Sequence, residues 1–204
     1  MKGEADMATL EQYPIVIPAD WVPGPKQGEW TYSHYAALPH DGQRYEIVNG
    51  VLTMAPAPSP EHQSIAVRLT YYVFPHVDLA GIGRLFTAPI DVELAPKNVF
   101  QPDAVVVLSA HLDRVADKKI IGVPDLVVEI TSPSTAVFDR LVKYEKYARA
   151  GITEYWIIKP TTRTIEVLIL EGGEYHSLGI FSGQATLPSQ ILPDLPVRVE
   201  QFFR

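Results

Sequence analysis

The sequence predicts an α/β fold with a mixed central β-sheet flanked by helices, and three features lead to that prediction. Two short apolar runs, 103–108 and 125–131, have the length and composition of strands buried on both faces. An Asn-Gly pair at 49–50 separates two β-prone runs, as in a tight hairpin. Helical patterns at 60–77 and 134–150 stand between strand-like segments, so the two kinds of element are interspersed.

The first 30 residues are expected to form an extended, proline-rich N-terminal arm, and residues 31–204 a single domain. A chain of 204 residues with 47% hydrophobic residues is long enough to bury its own core. Proline fixes φ and removes a backbone donor, so the arm should form neither a long helix nor a central strand. The arm's prolines are Pro14, Pro18, Pro23 and Pro25.

The first elements of the domain follow from local signals. A short helix is expected over 31–38, and a hairpin pairs 45–48 with 51–54 because its two central residues tolerate positive φ. Ser59-Pro60-Glu61 has the features of a helix start: a capping serine, a proline at the first position and an acid in the first turn. Apolar residues then recur at helical spacing, which predicts a helix over 60–77.

The remaining elements are predicted from periodicity. Alternating apolar positions over 83–94 predict one strand, interrupted near Pro89. The helix of 134–150 ends before Gly151, which suits the left-handed position after a helix. Its buried face is expected to consist of Val137, Leu141, Tyr144 and Ala148. Later elements are expected as strands at 154–158 and 164–170, a hairpin of 174–178 with 185–187, and a terminal helix at 197–203.

Composition excludes several classes of protein. Seventeen basic and 24 acidic residues give a net charge of −7, which argues against a broadly basic nucleic-acid-coating protein but allows a local basic patch. The absence of cysteine excludes disulfides, thiolate zinc sites and cysteine nucleophiles. No apolar run approaches the roughly 20 residues of a membrane helix, and residues 1–11 lack the apolar region of a signal peptide. A cytoplasmic protein that contacts no membrane is expected.

Two acids interrupt the predicted central strands. A buried carboxylate must be paired, hydrogen-bonded or bound to a metal, because isolated burial is unfavourable. Asp103 and Glu129, brought together by neighbouring strands, would form an oxygen site suited to Mg²⁺ or Mn²⁺. Such an ion binds phosphate oxygens and acidifies water. The alternatives are that Asp103 is a turn residue after Pro102 and that Glu129 is a strand-end acid paired with a lysine.

Besides the two acids, a site that cleaves a phosphodiester needs a positive charge near the phosphate. Strand alternation places Thr131 on the same face as Glu129, where phosphodiester cleavage favours a lysine. The following helix offers a substitute in a stripe of Arg140, Lys143 and Tyr147. Lys143→Met is expected to abolish cleavage and leave folding largely intact, and adding Thr131→Lys to recover part of the activity. The alternative is a solvated helix with an Asp139–Lys143 pair.

Several motifs, taken in order, resemble the Uma2 (DUF820) family, which is assigned to the PD-(D/E)XK nuclease superfamily. The resemblance covers the chain from about residue 31 to its end. The motifs are Tyr-Glu-Ile-Val-Asn-Gly at 45–50, Glu-His-Gln at 61–63, Gln-Pro-Asp at 101–103, Pro-Asp-Leu-Val-Val-Glu-Ile-Thr-Ser-Pro-Ser-Thr at 124–135, Asp139 with Lys143 and Tyr144, and Gly-Ile-Thr-Glu-Tyr-Trp-Ile-Ile at 151–158.

The resemblance implies a restriction-endonuclease-like fold and Mg²⁺- or Mn²⁺-dependent hydrolysis of DNA. It implies that Asp103 is the metal-binding aspartate and Glu129 the acid of the (D/E)XK strand. Thr131 departs from the lysine of that pattern, and the family places the lysine on the following helix, here Lys143. Glu46 corresponds to an early glutamate of the family and would be a third acid of the site.

His62 is the remaining polar candidate, since it lies in the first turn of the predicted helix, near its positive end. There it could orient a water molecule or contact a phosphate; a capping or surface role is the alternative. Glu46 has an alternative role as an exposed hairpin residue.

Three functions remain open on the sequence alone. The first is a metal-dependent endonuclease that acts on DNA. The second is a catalytically degenerate nuclease fold that binds nucleic acid or a protein partner without cleavage, which the net charge and Thr131 favour. The third is a small-molecule-binding or assembly module, which would contain an apolar pocket without convergent acids. Packing of the proline-rich arm on a second subunit would produce a homodimer.

Overall fold

Two six-stranded mixed sheets form the frame of the molecule in the computed structural model, which describes residues 17–39, 41–132 and 136–204. The sheets have the orders β1-β3-β2-β6-β5-β8 and β12-β11-β10-β9-β7-β4. The expected α/β fold is confirmed, but with two sheets where one central sheet was expected. The strands are β1 (Ile17–Pro18), β2 (Arg44–Val48), β3 (Val51–Ala55), β4 (Gly83–Thr87), β5 (Asp91–Ala95), β6 (Asn98–Phe100), β7 (Ala104–Leu108), β8 (Lys119–Ile121), β9 (Leu126–Ile130), β10 (Glu154–Lys159), β11 (Thr164–Glu171) and β12 (Glu174–Ser182).

Three helices accompany the sheets in the described part of the chain, together with short 3₁₀ segments. Helix α1 is Tyr32–Tyr35, and helix α2 is Pro60–Phe74, extended by a π-helical segment, Pro75–Leu79. Helix α3 spans 136–150 with a π-helical segment in its middle. Its parts are Ala136–Phe138, Asp139–Lys143 and Tyr144–Ala150. The 3₁₀ segments are Ser109–Arg114, Pro160–Thr162 and Val199–Phe202, the last where a terminal helix was expected.

The Asn-Gly hairpin is formed as expected by β2 and β3, which pair antiparallel. Asn49 and Gly50 have φ values of 52° and 78°, the conformation in which this dipeptide is favoured. The Gly50 carbonyl accepts hydrogen bonds from the backbone N–H groups of Gly28 (2.8 Å) and Trp30 (2.9 Å). The hairpin therefore also anchors the segment that precedes α1.

The segment 83–94 is not one strand. β4 pairs with β7 in one sheet, and β5 pairs with β6 and β8 in the other. Pro89 separates them, and it has no backbone N–H to donate to a ladder. The chain therefore crosses from one sheet to the other at the point where the periodicity is interrupted.

Strands β7 and β9 lie inside the second sheet, as expected of strands that are buried on both faces. β7 pairs antiparallel with β9, and β9 pairs parallel with β10. Val106 and Val128 pack in a core cluster with Ile65 and Leu69 of α2. The alternate positions of these strands face a second cluster, which includes Phe138 and other α3 residues.

Helix α3 presents the expected face to the sheet only in its second half, where Ala148 is buried and Tyr144 packs against the same core cluster. Val137 and Leu141 are 46% and 50% exposed, whereas Phe138 and Val142 are buried. The wide turns of the π-helical segment shift the angular register of the helix, so extrapolation at 3.6 residues per turn gives the wrong face in its first half. Gly151 does end α3 in the left-handed conformation, at φ 94°. The expected first residues of this helix, 134 and 135, lie outside the described residues.

Only part of the expected N-terminal arm lies in the described structure, because residues 1–16 are outside it. Ile17–Pro18 pairs antiparallel with β3, and Trp30 is buried beside Ile47 and Leu52. The division of the chain at residue 30 stays a prediction. Across the described residues, no helix combines the length and apolarity needed to cross a membrane.

Candidate active site

The register of two central strands brings Asp103 and Glu129 together. Ala104 pairs with Val128, so Asp103 lies one step further along, opposite Glu129. Both side chains are buried and line the same cavity of about 190 Å³. The Asp103 carboxylate accepts a hydrogen bond of 2.7 Å from the backbone N–H of Ile130. That bond fixes the orientation of one carboxylate relative to the strand that carries the other.

Lys143 reaches into this cavity from α3. Its Nζ lies 3.0 Å from Glu129 Oε1, 2.9 Å from Glu46 Oε1 and 3.7 Å from Asp139 Oδ1. The expectation that this ammonium faces Glu129 and not solvent is confirmed, and the side chain is only 6% exposed. The alternative of a solvated Asp139–Lys143 pair is wrong, because both residues are buried at the sheet.

Tyr147, one helical turn beyond Lys143, completes the surroundings of Glu129. Its hydroxyl donates a hydrogen bond of 2.7 Å to Glu129 Oε1. Tyr147 and Lys143 therefore bind the same carboxylate oxygen. These two bonds orient the carboxylate within a buried environment.

Glu46 enters the site from the other sheet. It lies on β2, buried, and its Oε1 accepts a hydrogen bond of 2.9 Å from the backbone N–H of Gln101. The role of an exposed hairpin residue is therefore wrong for Glu46. Because Glu46 and Glu129 share Lys143, the ammonium joins the two sheets.

The acids and the lysine change each other's proton affinity. Burial raises the pKa of Glu129 well above its usual range; Lys143 opposes this, and the charges of Asp139, Asp103 and Glu46 add to it. Burial alone would lower the pKa of Lys143, but Glu129, Glu46 and Asp139 together raise it. Both directions have one cause: several carboxylates share one ammonium, so the cluster holds its protons tightly.

His62 and Arg44 contact the other carboxylate. His62 Nε2 lies 3.0 Å from Asp103 Oδ2, and Arg44 Nη2 lies 3.9 Å from Asp103 Oδ1. Ser59 caps α2 by accepting a 3.2 Å hydrogen bond from the His62 backbone N–H, so the helix start fixes the position of this ring. His62 Nδ1 is buried and makes no hydrogen bond within the described residues.

The donor set suits a hard divalent cation with few protein ligands. The described residues contain no group of three or more His, Asp or Glu side chains arranged to hold a metal ion. Mg²⁺, however, is commonly held by one or two carboxylates and completes its shell with water and phosphate oxygens. Around the cavity, four carboxyl groups face the two cations Lys143 and Arg44, which leaves an excess of acidic groups. A divalent ion would neutralise that excess.

The structure brings all five residues named from the sequence to one cavity: Glu46, His62, Asp103, Glu129 and Lys143. Three further contributors were not singled out from the sequence as site residues: Arg44, Gln101 and Asp139. Asp139 had a signal, since it lies four residues before Lys143. Gln101 also had one, since it begins the Gln-Pro-Asp motif, whereas Arg44 had none, because contacts across 57 positions bring it to Gln101.

The strand position at which the sequence lacks a lysine lies outside the cavity lining. Thr131 does not line the cavity; its hydroxyl donates to the Ile158 carbonyl at 3.2 Å, toward the neighbouring strand β10. Two other cations of α3 form ion pairs with acids that do not line the cavity. Arg140 pairs with Glu166 at 2.5 Å, and Arg149 pairs with Glu145 at 2.8 Å.

Comparisons with known proteins agree with the fold and the motifs. A sequence model of the Uma2 family, described as "Putative restriction endonuclease", matches residues 32–200. A crystal structure described as a "putative nuclease belonging to DUF820", from Anabaena variabilis, shares this fold with a TM-score of 0.67 and 20% sequence identity. That similarity covers 85% of this chain and 97% of the other.

A curated protein from Synechocystis sp., described as uncharacterized, is 28% identical to this chain over 127 residues. The match covers 61% of this chain and 65% of the curated protein's length, so the chain spans just under two thirds of that relative.

Proposed function

This chain belongs to the Uma2 family, and from that premise we propose that it is a metal-dependent endonuclease that hydrolyses DNA phosphodiester bonds. One observation carries the proposal: the Lys143 ammonium lies 3.0 Å from Glu129, opposite Asp103, in an open cavity. Two acids that can hold a divalent ion, with a lysine beside them, supply the metal site and the fixed positive charge that assist phosphodiester hydrolysis.

Asp103 and Glu129 would hold Mg²⁺ or Mn²⁺ in this proposal. The bound ion would supply Lewis acidity at the phosphate and a nucleophilic hydroxide from water. The neighbouring groups keep both carboxylates in place: the Ile130 N–H and His62 bind Asp103, and Tyr147 binds Glu129.

Lys143 would stabilise the negative charge that develops on the phosphate. Its three carboxylate neighbours keep it protonated, so it acts as a fixed positive charge and not as a base. Its long apolar stem spans the distance from α3 to the site, which makes a strand lysine at position 131 unnecessary. His62 and Arg44 add hydrogen-bonding and positive groups on the Asp103 side of the same cavity.

Purified protein tests the proposal by incubation with supercoiled plasmid and with single-stranded DNA in Mg²⁺, in Mn²⁺ and in EDTA. We expect cleavage with either ion and none in EDTA. Asp103→Asn and Glu129→Gln should each lower the rate by orders of magnitude. Glu171→Gln, an exposed acid at the end of β11, is the matched control and should cleave like the wild type.

Each alternative has its own outcome. DNA binding without cleavage in any metal would replace the proposal with a non-cleaving nuclease fold. Absence of both binding and cleavage would favour the small-molecule or assembly module.

A further inference from the structure

A second and larger cavity adjoins the site. Its volume is about 450 Å³, within the range of ligand pockets, against about 190 Å³ for the cavity that holds Lys143. It lies between α1, the start of β2 and the segment before β5. The residues that define it are Tyr32, Tyr35, Arg44, Tyr45, Asp91 and Gln101.

Arg44 and Gln101 form the wall between the two cavities. Arg44 lines both of them, and its Nη2 donates a 2.9 Å hydrogen bond to the Gln101 carbonyl. The backbone N–H of Gln101 binds Glu46 in the site, while its side chain lines the second cavity. A polymer bound with a phosphate in the first cavity would reach the second by passing Arg44, which both linings share.

The walls of the second cavity combine aromatic rings with a polar edge. Tyr32 and Tyr35 lie 5.9 Å apart in an edge-to-face arrangement. Gln101 Nε2 donates to the Tyr35 hydroxyl (3.0 Å) and to Asp91 Oδ1 (2.8 Å), and the Tyr35 hydroxyl donates to Asp91 Oδ1 (3.1 Å). These bonds use both N–H groups of the Gln101 amide and the Tyr35 hydroxyl proton, so the edge presents acceptor atoms in fixed positions, chiefly the Asp91 carboxylate. Lys119 Nζ lies 3.5 Å from the centroid of the Tyr32 ring, so Tyr35 is the aromatic ring on which the subsite depends.

We propose that this cavity is a nucleobase subsite for a nucleotide next to the scissile phosphate. Aromatic rings stack on bases of any sequence, and a fixed carboxylate accepts hydrogen bonds from the edge of an unpaired base. A base in a duplex cannot enter a pocket of this kind without leaving its stack. The subsite therefore selects single-stranded DNA, or a strand with a flipped base, over intact duplex. This inference rests on the proposed nuclease function and assigns its substrate class.

Fluorescence anisotropy of a 5′-labelled strand of about 12 nucleotides tests the subsite, first in Ca²⁺ and then in EDTA. The single strand should bind at least about tenfold more tightly than the matched duplex. Strands that lack one base at successive positions should show one position where affinity falls about five- to hundredfold, which is the contribution of one stacked base. This scan uses the wild-type protein and so does not depend on any variant's folding.

Variants locate the effect in the cavity. Tyr35→Ala should lower single-strand affinity by a similar factor and remove the dependence on that one base, whereas Tyr35→Phe should keep the stacking. Tyr71→Ala is the matched control, because Tyr71 is 71% exposed on α2 and does not line this cavity.

The results separate the subsite from the nuclease function. If the protein cleaves DNA with metal, three results would each overturn the subsite and leave the nuclease function in place. They are equal affinity for strands that lack a base at any position, no preference for single strands over duplex, and unchanged single-strand affinity of Tyr35→Ala. A position-specific scan that Tyr35→Ala abolishes, without cleavage in any metal, keeps the subsite and rejects the catalysis. Absence of measurable single-strand binding overturns the subsite.

Discussion

Glu129 lies among more acids than bases, and its protonation therefore depends on every charged neighbour. Lys143, Asp139 and Tyr147 face it from α3, Glu46 faces it from β2, and Asp103 lies opposite at the start of β7. Burial raises its pKa, and the three other acids raise it further. The ionised form thus destabilises the folded protein when no divalent cation is present.

Replacement of Glu129 by glutamine should change stability in a pH-dependent way. Because the folded-state pKa of Glu129 is raised, its stabilising contribution is full below its ordinary pKa and is lost as pH rises through the folded-state value. In EDTA, the free energy of unfolding of Glu129→Gln minus that of the wild type should therefore increase from pH 5 to pH 8. Urea denaturation at several pH values measures this difference.

The same variant should be nearly inactive, with metal-dependent cleavage lowered by orders of magnitude. A constant stability difference between pH 5 and pH 8 would show that Glu129 is not held with a raised pKa. Unchanged cleavage with the same metal dependence would remove Glu129 from the site.

Lys143→Met should abolish cleavage and also destabilise the protein, which revises the expectation of intact folding. The methionine keeps the stem's packing, but Glu46, Glu129 and Asp139 then lose their shared cation. Removing the cation of a buried ion pair costs about 3–5 kcal/mol. Urea denaturation at neutral pH in EDTA measures the loss, and acid pH should recover part of it.

Lys146→Met on the same helix is the control and should change stability little, because Lys146 does not line the site. Thr131→Lys is not expected to rescue Lys143→Met, because residue 131 does not line the cavity. Full stability of Lys143→Met in EDTA would contradict the buried ion cluster.

At the scale of elements, turns and helix starts fix the positions of the site residues. The β2–β3 hairpin carries Glu46, Ser59 positions His62 at the start of α2, and the π-helical segment of α3 turns Lys143 toward the sheet. The hairpin, the helix cap and the π-helical segment do not themselves contact the phosphate in the proposed reaction. Each of them decides where a site residue points.

Gly50→Ala should destabilise the protein more than Gly172→Ala. Both glycines have positive φ, a conformation that costs a residue with a Cβ roughly 1–2 kcal/mol. A Cβ at Gly50 would also overlap the backbone carbonyl of Gly28, whereas a Cβ at Gly172 meets nothing within 4 Å. The additional loss at Gly50 should be about 1–3 kcal/mol by urea denaturation. Equal losses at the two positions would show that the approach to Gly28 relaxes freely.

At the scale of the whole molecule, the excess of acid at the meeting point of two sheets would link binding of the proposed metal ion to stability. An ion that binds only the folded protein stabilises it by about 2.7 kcal/mol at a concentration one hundred times its dissociation constant. For a chain of this length, such a gain raises the melting temperature by about 5–10 °C.

Thermal unfolding with increasing Mg²⁺ or Mn²⁺ should therefore show this rise in the wild type and in Glu171→Gln. Asp103→Asn should lose most of it, because one of the two proposed ligand carboxylates is absent. An equal rise in Asp103→Asn would place the bound ion elsewhere. The homodimer expected from the sequence stays a prediction, and light scattering of the purified protein tests it.

Local signals made much of this molecule predictable. The Asn49-Gly50 turn, the Ser59 cap and the end of α3 at Gly151 depend on residues adjacent in sequence, and each appears as expected. The buried acids also stand out in sequence, because a carboxylate inside an apolar run demands a partner. Those signals predicted that Asp103 and Glu129 meet, and the family resemblance added Lys143.

The sequence by itself determined the α/β class, the central pair of strands and the candidate acids, because strand periodicity and turn chemistry act over a few residues. Only the tertiary structure decided that two sheets form, that α3 buries Phe138 in place of Val137, and that Arg44 and Gln101 separate two cavities. Those features arise from contacts between distant segments. No local pattern encodes them, since their energy depends on which surfaces the folded chain brings together.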